Sequence, residues 1–191
     1  MMKKKDIKGR QQLTLLALVF VGPLILAAWL YFGGAGLQPA SRTNKGELLE
    51  PIIALPEVLP GSPLLEHLDG QWSLVYVNTD ACGDACKQAI HTLRQSRLML
   101  GSDMDRMNRV LLRVESAPDT VVLGDEYAGT ITLVDDALSE LLLGKRPISA
   151  AAGGYYLVDP LGNLVMYFPP ELDPSAMVKD IEHLLELSRI G

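Results

Sequence analysis

The chain has 191 residues, 48% of them apolar, with a net charge of −6; this suits one modest domain with a core of its own plus an added segment. Charge is uneven: residues 1–36 hold five basic residues and one acid, a net of +4, which leaves −10 on residues 37–191. So acidic a folded part does not fit a nucleic-acid binder, because phosphate neutralisation needs Lys and Arg clustered there.

Residues 1–12 read as a basic cytoplasmic tail carrying Lys3, Lys4, Lys5, Lys8 and Arg10. Leu13 to Phe32 follow as a largely apolar run, inside a gap free of charge from Arg10 to Arg42. At the helical rise its length is about 30 Å, the hydrocarbon thickness of a bilayer. Thr14, Gly22 and Pro23 interrupt the run without adding charge, and Pro is tolerated in membrane helices. Trp29, Tyr31 and Phe32 gather at the far end, where an interfacial aromatic belt belongs. The basic flank predicts a transmembrane helix over 13–32 with its N-terminus in the cytoplasm, a single-pass anchor in the inner (plasma) membrane with the C-terminal domain in the periplasm. The alternatives are a cleaved signal peptide, which needs a shorter core and a better small-x-small site than Gly34-Ala35-Gly36, and the buried helix of a soluble domain.

Residues 33–63 read as a tether, rich in Gly and small polar residues and carrying Pro39, Pro51, Pro56, Pro60 and Pro63, which disfavour a helix. Its later part, LLEPIIALPEVLPG, is a candidate to lie against the domain edge, and compact structure is expected from near residue 48. The folded periplasmic domain is assigned to 64–191. Leu64 to Leu68 suggests a short helix. Trp72 to Asn78 is apolar and β-prone and predicts a buried strand. Asn78, Thr79 and Asp80 break it, and a helix runs from Cys86 to about Met99, with Ala85, Ala89, Ile90 and Leu93 on one side. Gly101 closes that helix, and Arg109 to Glu115 predicts a second strand. Thr130 to Val134 is a candidate short strand, and Asp135-Asp136 opens a helix that stops at Gly144. Tyr155 to Val158 and Leu164 to Phe168 flank the turn residues Asp159-Pro160-Leu161-Gly162-Asn163 as a hairpin. Asp173-Pro174 caps a last helix whose stripe is Met177, Ile181, Leu184 and Leu185. The order strand, helix, strand, helix, hairpin, helix predicts an α/β fold: a thioredoxin-like mixed four-stranded sheet with flanking helices.

The two cysteines, Cys82 and Cys86, fall between the first strand and its helix. A helix N-terminus favours a thiolate, so Cys82 is the candidate attacking thiol and Cys86 the resolving thiol or second metal ligand. Gly83 is expected to permit the tight backbone between them. Asp80 and Asp84 oppose thiolate formation. An inert structural disulfide remains the alternative, since the expected compartment is oxidising. Soft thiolates suit Cu(I) or zinc, yet His91 faces about 140° away from Cys86 around the helix, while His67 and His183 lie elsewhere. Met99, Met104 and Met107 are soft-ligand candidates that read more simply as packing residues.

YVNTDACGDAC followed by a helix resembles the cysteine motif of the Sco/SenC family, membrane-anchored thioredoxin-fold proteins of cytochrome c oxidase assembly. RVLLRVESAPDT is similar to that family's second strand and acidic turn, and YYLVDPLGNLVMYF to its late hairpin. The resemblance spans roughly residues 70–190. It implies that Cys82 and Cys86 form a catalytic dithiol–disulfide pair, with copper as an optional ligand of the same two residues and no other cofactor required. It also implies respiratory oxidase subunits or other copper-site assembly proteins as partners. Two departures stand out: Gly83 replaces the family's Pro after the first Cys, and Ala151 stands about where its copper-binding His falls. A thiol-only or chaperone-like variant therefore fits better than a copper carrier. A general periplasmic thiol–disulfide oxidoreductase and a non-catalytic binding module with a structural disulfide are the other two readings.

Overall fold

The computed structural model describes residues 3–32, 44–118, 123–147 and 153–188. The chain forms two compact units, residues 1–43 and 44–191.

The first unit contains one helix, α1 (Lys3–Phe32), with Pro23 inside it. Gln11–Trp29 has a mean hydropathy of 2.0 and is long and apolar enough to cross a membrane. Its side chains are exposed all round, Leu13, Phe20 and Trp29 among them, as lipid-facing side chains are. The helix begins ten residues before the apolar run, since Lys and Gln are good helix formers.

The second unit is a six-stranded mixed sheet. Its strands are β1 (Glu47–Ala54), β2 (Trp72–Asn78), β3 (Met107–Arg113), β4 (Thr130–Val134), β5 (Tyr155–Val158) and β6 (Asn163–Phe168), in the order β1-β6-β5-β2-β3-β4. β2 is parallel to β3, and β3 to β4, while β5, β6 and β1 continue the sheet antiparallel. The central strand β2 is buried along its whole length. Trp72, Leu74 and Tyr76 face one core, beneath α4 (Asp84–Met99) and α6 (Pro174–Leu187), while Val75 and Val77 face the other, beneath α5 (Asp136–Gly144). A strand covered on both faces has no polar side to show, which is why WSLVYVN reads as an almost unbroken apolar run. Two single-turn helices, α2 (Leu55–Val58) and α3 (Pro63–Glu66), bury Leu55 and Leu64 in the second core.

The thioredoxin-like arrangement holds, but the sheet has six strands where four were expected. β4 adds to the parallel edge. β1 adds to the other edge and lies within the stretch read as tether. Pro51 is tolerated there because an edge strand leaves half its N–H groups unpaired, and the pairing with β6 is irregular between Leu48 and Ile53. The compact unit begins at Asn44, ahead of the expected start near residue 48. Its first backbone is held by Asp180 of α6, a carboxylate only 7% exposed that accepts the N–H groups of Lys45 (2.6 Å) and Gly46 (2.7 Å). The β5–β6 turn forms as its residues dictate. The Asp159 carboxylate accepts the N–H groups of Leu161 (2.9 Å) and Asn163 (2.8 Å), and Gly162 takes φ +83°, a value other residues resist.

A candidate redox site at the tip of helix α4

β2 delivers the chain to the end of the sheet, where Asn78 turns it. The Asn78 amide is buried and donates to the carbonyl of Asp80 at 2.6 Å, fixing the loop that leads into α4. The hydroxyl of Thr79 donates to the Asp80 carboxylate at 3.1 Å. α4 starts at Asp84 with Gly83 as its N-cap, and the N–H of Lys87 donates back to the Gly83 carbonyl. Cys82 therefore stands two residues ahead of the helix and Cys86 in its first turn. They form a disulfide, with Cα atoms 5.1 Å apart.

The two sulfurs differ in surroundings. Cys86 is 3% exposed and sits in the core with Ala89, Ile90 and Leu93, whereas Cys82 is partly buried at the margin of the same cluster. Ala85, expected on the inner side, is exposed at the tip of the helix. Water and a partner thiol thus have access to Cys82 rather than to Cys86, and the helix N-terminus offers partial positive charge to a thiolate there. Asp80 and Asp84 are exposed beside it and act in the opposite sense.

Gly83 does not play the part expected of it. Its φ is −81° and ψ −161°, open to any residue, and a Cβ there would meet nothing within 4 Å. Proline also tolerates that φ, but it would forfeit the Gly83 N–H bond to the carbonyl of Ala81 at 2.8 Å.

Sequence reasoning passed over a pair of tyrosines in the core that holds Cys86. Tyr76 of β2 and Tyr155 of β5 stand directly across from one another, ring centroids 5.7 Å apart, in the same core as Cys86. Burial raises the pKa of both phenols; for Tyr155 a hydrogen bond to Thr92 of α4 works the other way, and the neighbouring Tyr76 adds to the rise. The signal available was register: the apolar strands Trp72–Asn78 and Tyr155–Val158 must pair, and each carries Tyr. Just before β5, Gly153 and Gly154 take φ +92° and +113°, and the Tyr167 hydroxyl donates to the Gly153 carbonyl at 2.9 Å.

Other candidate ligands do not converge on the sulfurs. His67 and His183 are exposed, on the α3–β2 turn and on α6, and His91 lies beside Gln95 on α4. Met99 ends α4, about 20 Å from Cys86 along the helix, and Met104 and Met107 follow it, in the turn after α4 and at the start of β3. Ala151, at the position where the Sco/SenC resemblance expects a His, lies outside the described residues. Among the described residues no group of three or more His, Cys, Asp and Glu is placed to hold a metal ion.

A mixed sheet with a parallel β2–α4–β3 crossover, an antiparallel β5–β6 hairpin and a cysteine pair at the tip of α4 defines the thioredoxin-like class of proteins. Within it, the chain belongs to the family described as "Transmembrane-like, thioredoxin-like, C-terminal domain", whose model matches residues 72–188. No curated protein matches the chain. Solved structures similar to it include copper-bound ScoI of Arabidopsis thaliana, 16% identical, covering 65% of this chain and 89% of that one, with a TM-score of 0.46. Copper-bound ScoI of Bradyrhizobium japonicum is 17% identical, covering 62% and 88%, with a TM-score of 0.43. Copper-bound Sco1 of yeast is 16% identical, covering 64% and 80%, with a TM-score of 0.45.

Proposed function

We propose that the chain is a membrane-anchored thiol–disulfide exchange protein that assists cytochrome c oxidase assembly, with Cys82 and Cys86 as its working pair. The observation that carries this reading is the asymmetry of the pair at a helix tip: one sulfur partly open, the other enclosed one turn later. In the reduced chain the Cys82 thiolate attacks a client disulfide, and the client sulfur that leaves takes up a proton. The Cys86 thiolate then attacks Cys82, and the second client thiol is released. Two client sulfurs are reduced and two chain sulfurs oxidised; run backwards, the exchange oxidises the client. The setting comes from the cysteine motif and late hairpin that resemble the Sco/SenC family. The basic flank before Leu13 supports an inner-membrane anchor over 13–32, and the oxidising compartment that the disulfide needs supports a periplasmic domain. On this reading the clients are oxidase subunits or other copper-site assembly proteins. Cys82 and Cys86 are the only thiols available to copper, and no third donor joins them among the described residues.

Trapping tests the reading. Cys86→Ser leaves the accessible thiol without its resolving partner, and we expect it to accumulate a mixed disulfide with a client in membranes. Cys82→Ser leaves only the enclosed sulfur and should accumulate none. Equal absence of adducts in both variants, with both folded, would favour the structural-bridge reading.

A further inference from the structure

β3 carries two arginines, Arg109 and Arg113, on the face that sends Met107 and Leu111 into the core beneath α4. Arg113 donates from Nη2 to the carbonyls of Ala117 (3.1 Å) and Pro118 (2.8 Å). Arg109 is differently placed. It is 6% exposed, its Nη2 donates to the carbonyl of Ala128 at 2.6 Å, and its Nε is enclosed without a partner. Among the described residues no carboxylate pairs with it. A guanidinium taken out of water without a counter-charge is unfavourable.

Two further cations crowd Arg109 instead of neutralising it. Arg97 donates from Nε to the carbonyl of Met107 (3.0 Å), two residues before Arg109 on the same face of β3. Arg94, one turn earlier on α4, donates from Nε to the carbonyl of Glu126 (2.8 Å), two residues before Ala128. The three guanidiniums therefore line one seam between α4, β3 and residues 124–129. Burial and the repulsion of Arg97 and Arg94 all lower the pKa of Arg109. The acids nearby do not relieve this. Asp105 is bound to Nη2 of Arg97 at 2.9 Å, and Asp125 and Glu126 are exposed, with neither paired to Arg94 or Arg109 among the described residues. Each guanidinium has five N–H donors, and in the described bonds Arg94 and Arg109 use one apiece.

We propose that Arg94, Arg97 and Arg109 form a binding site for a phosphate-type oxyanion, which supplies counter-charge to Arg94 and Arg109, neither of them paired with a carboxylate among the described residues. Several acceptor oxygens and a charge near −2 suit three guanidiniums that approach from two elements. A free phosphate and a lipid headgroup share this chemistry. The site is separate from the cysteine pair, since Arg94 and Arg97 lie on the later half of α4.

The test uses the full chain in a lipid-free, uncharged detergent. Inorganic phosphate is titrated against sodium chloride at matched ionic strength, read by the thermal midpoint and by 31P line broadening. The double variant R94Q/R97Q is expected to bind phosphate about tenfold more weakly or worse, and R94K/R97K to recover part of the loss. Wild-type chain in nanodiscs of phosphatidylglycerol is compared with nanodiscs of phosphatidylcholine. A saturable rise in midpoint with free phosphate, reduced in R94Q/R97Q, supports the site and identifies a soluble ligand. No response to free phosphate, with a stabilisation by phosphatidylglycerol that R94Q/R97Q loses, supports the site and identifies a headgroup. Phosphate acting no differently from chloride, with both lipids equivalent, overturns the proposal.

Discussion

Tyr156 is fully buried in β5, its ring centroid 5.2 Å from that of Tyr167, and its hydroxyl has no hydrogen-bond partner among the described residues. Removing an unpartnered hydroxyl should cost nothing, so Tyr156→Phe is expected to match wild type or exceed it by about 1 kcal/mol in urea unfolding. The same burial, helped by Tyr167, raises the Tyr156 pKa above its ordinary value of 10.0. A folded pKa raised in this way gives stability that is complete below the unfolded pKa and lost as pH climbs towards the folded one. Wild type should therefore lose more stability than Tyr156→Phe between about pH 9 and pH 11. A destabilised Tyr156→Phe would show that the hydroxyl is satisfied after all. At this scale the sequence was informative about where Cys82 and Cys86 lie, between β2 and α4, because the strand and the helix on either side have local causes. It was misleading about Gly83, since a glycine's freedom is visible in a sequence while its actual φ is not.

Among the elements, β1 is led into the sheet by a single side chain. Asp180 accepts two backbone N–H groups just ahead of the strand while buried on α6. Asp180→Ala leaves both donors unsatisfied, and we expect a loss of about 2–3 kcal/mol. Hydrogen exchange should quicken over residues 45–54 more than over β2; uniform acceleration, or none, would contradict the assignment. β1 was hard to read because Pro51 and its exposed acids resemble a linker, and because its partners, β6 and Asp180, lie over a hundred residues away in sequence. β2, α4 and the β5–β6 hairpin were legible because their causes are local: an apolar run, a helical stripe, and Asp159 and Gly162 at a turn. β3 begins and ends two residues earlier than its apolar pattern suggested. Its register is set by Trp72 opposite Met107, and Glu115 beyond its end is exposed in a turn.

For the molecule as a whole, the charge asymmetry and the apolar run set the N-terminal segment apart in the sequence, and the structure has compact units at residues 1–43 and 44–191. The candidate site was legible only as a place, the mouth of α4. Burial then sets the two sulfurs apart, enclosing Cys86 and leaving Cys82 at the margin. The tyrosine pair and the arginine seam escaped notice, since both arise from contacts between different elements rather than from a local pattern. Redox exchange requires that this disulfide open and close without unfolding the domain. The most direct measurement is the midpoint potential of the full chain, equilibrated in thiol–disulfide buffers and read by alkylation of Cys82 and Cys86. We expect a value above about −300 mV, with native secondary structure in the reduced form. A value below about −300 mV, or thiols that react only once the domain unfolds, would contradict an exchange role and leave the bridge purely structural.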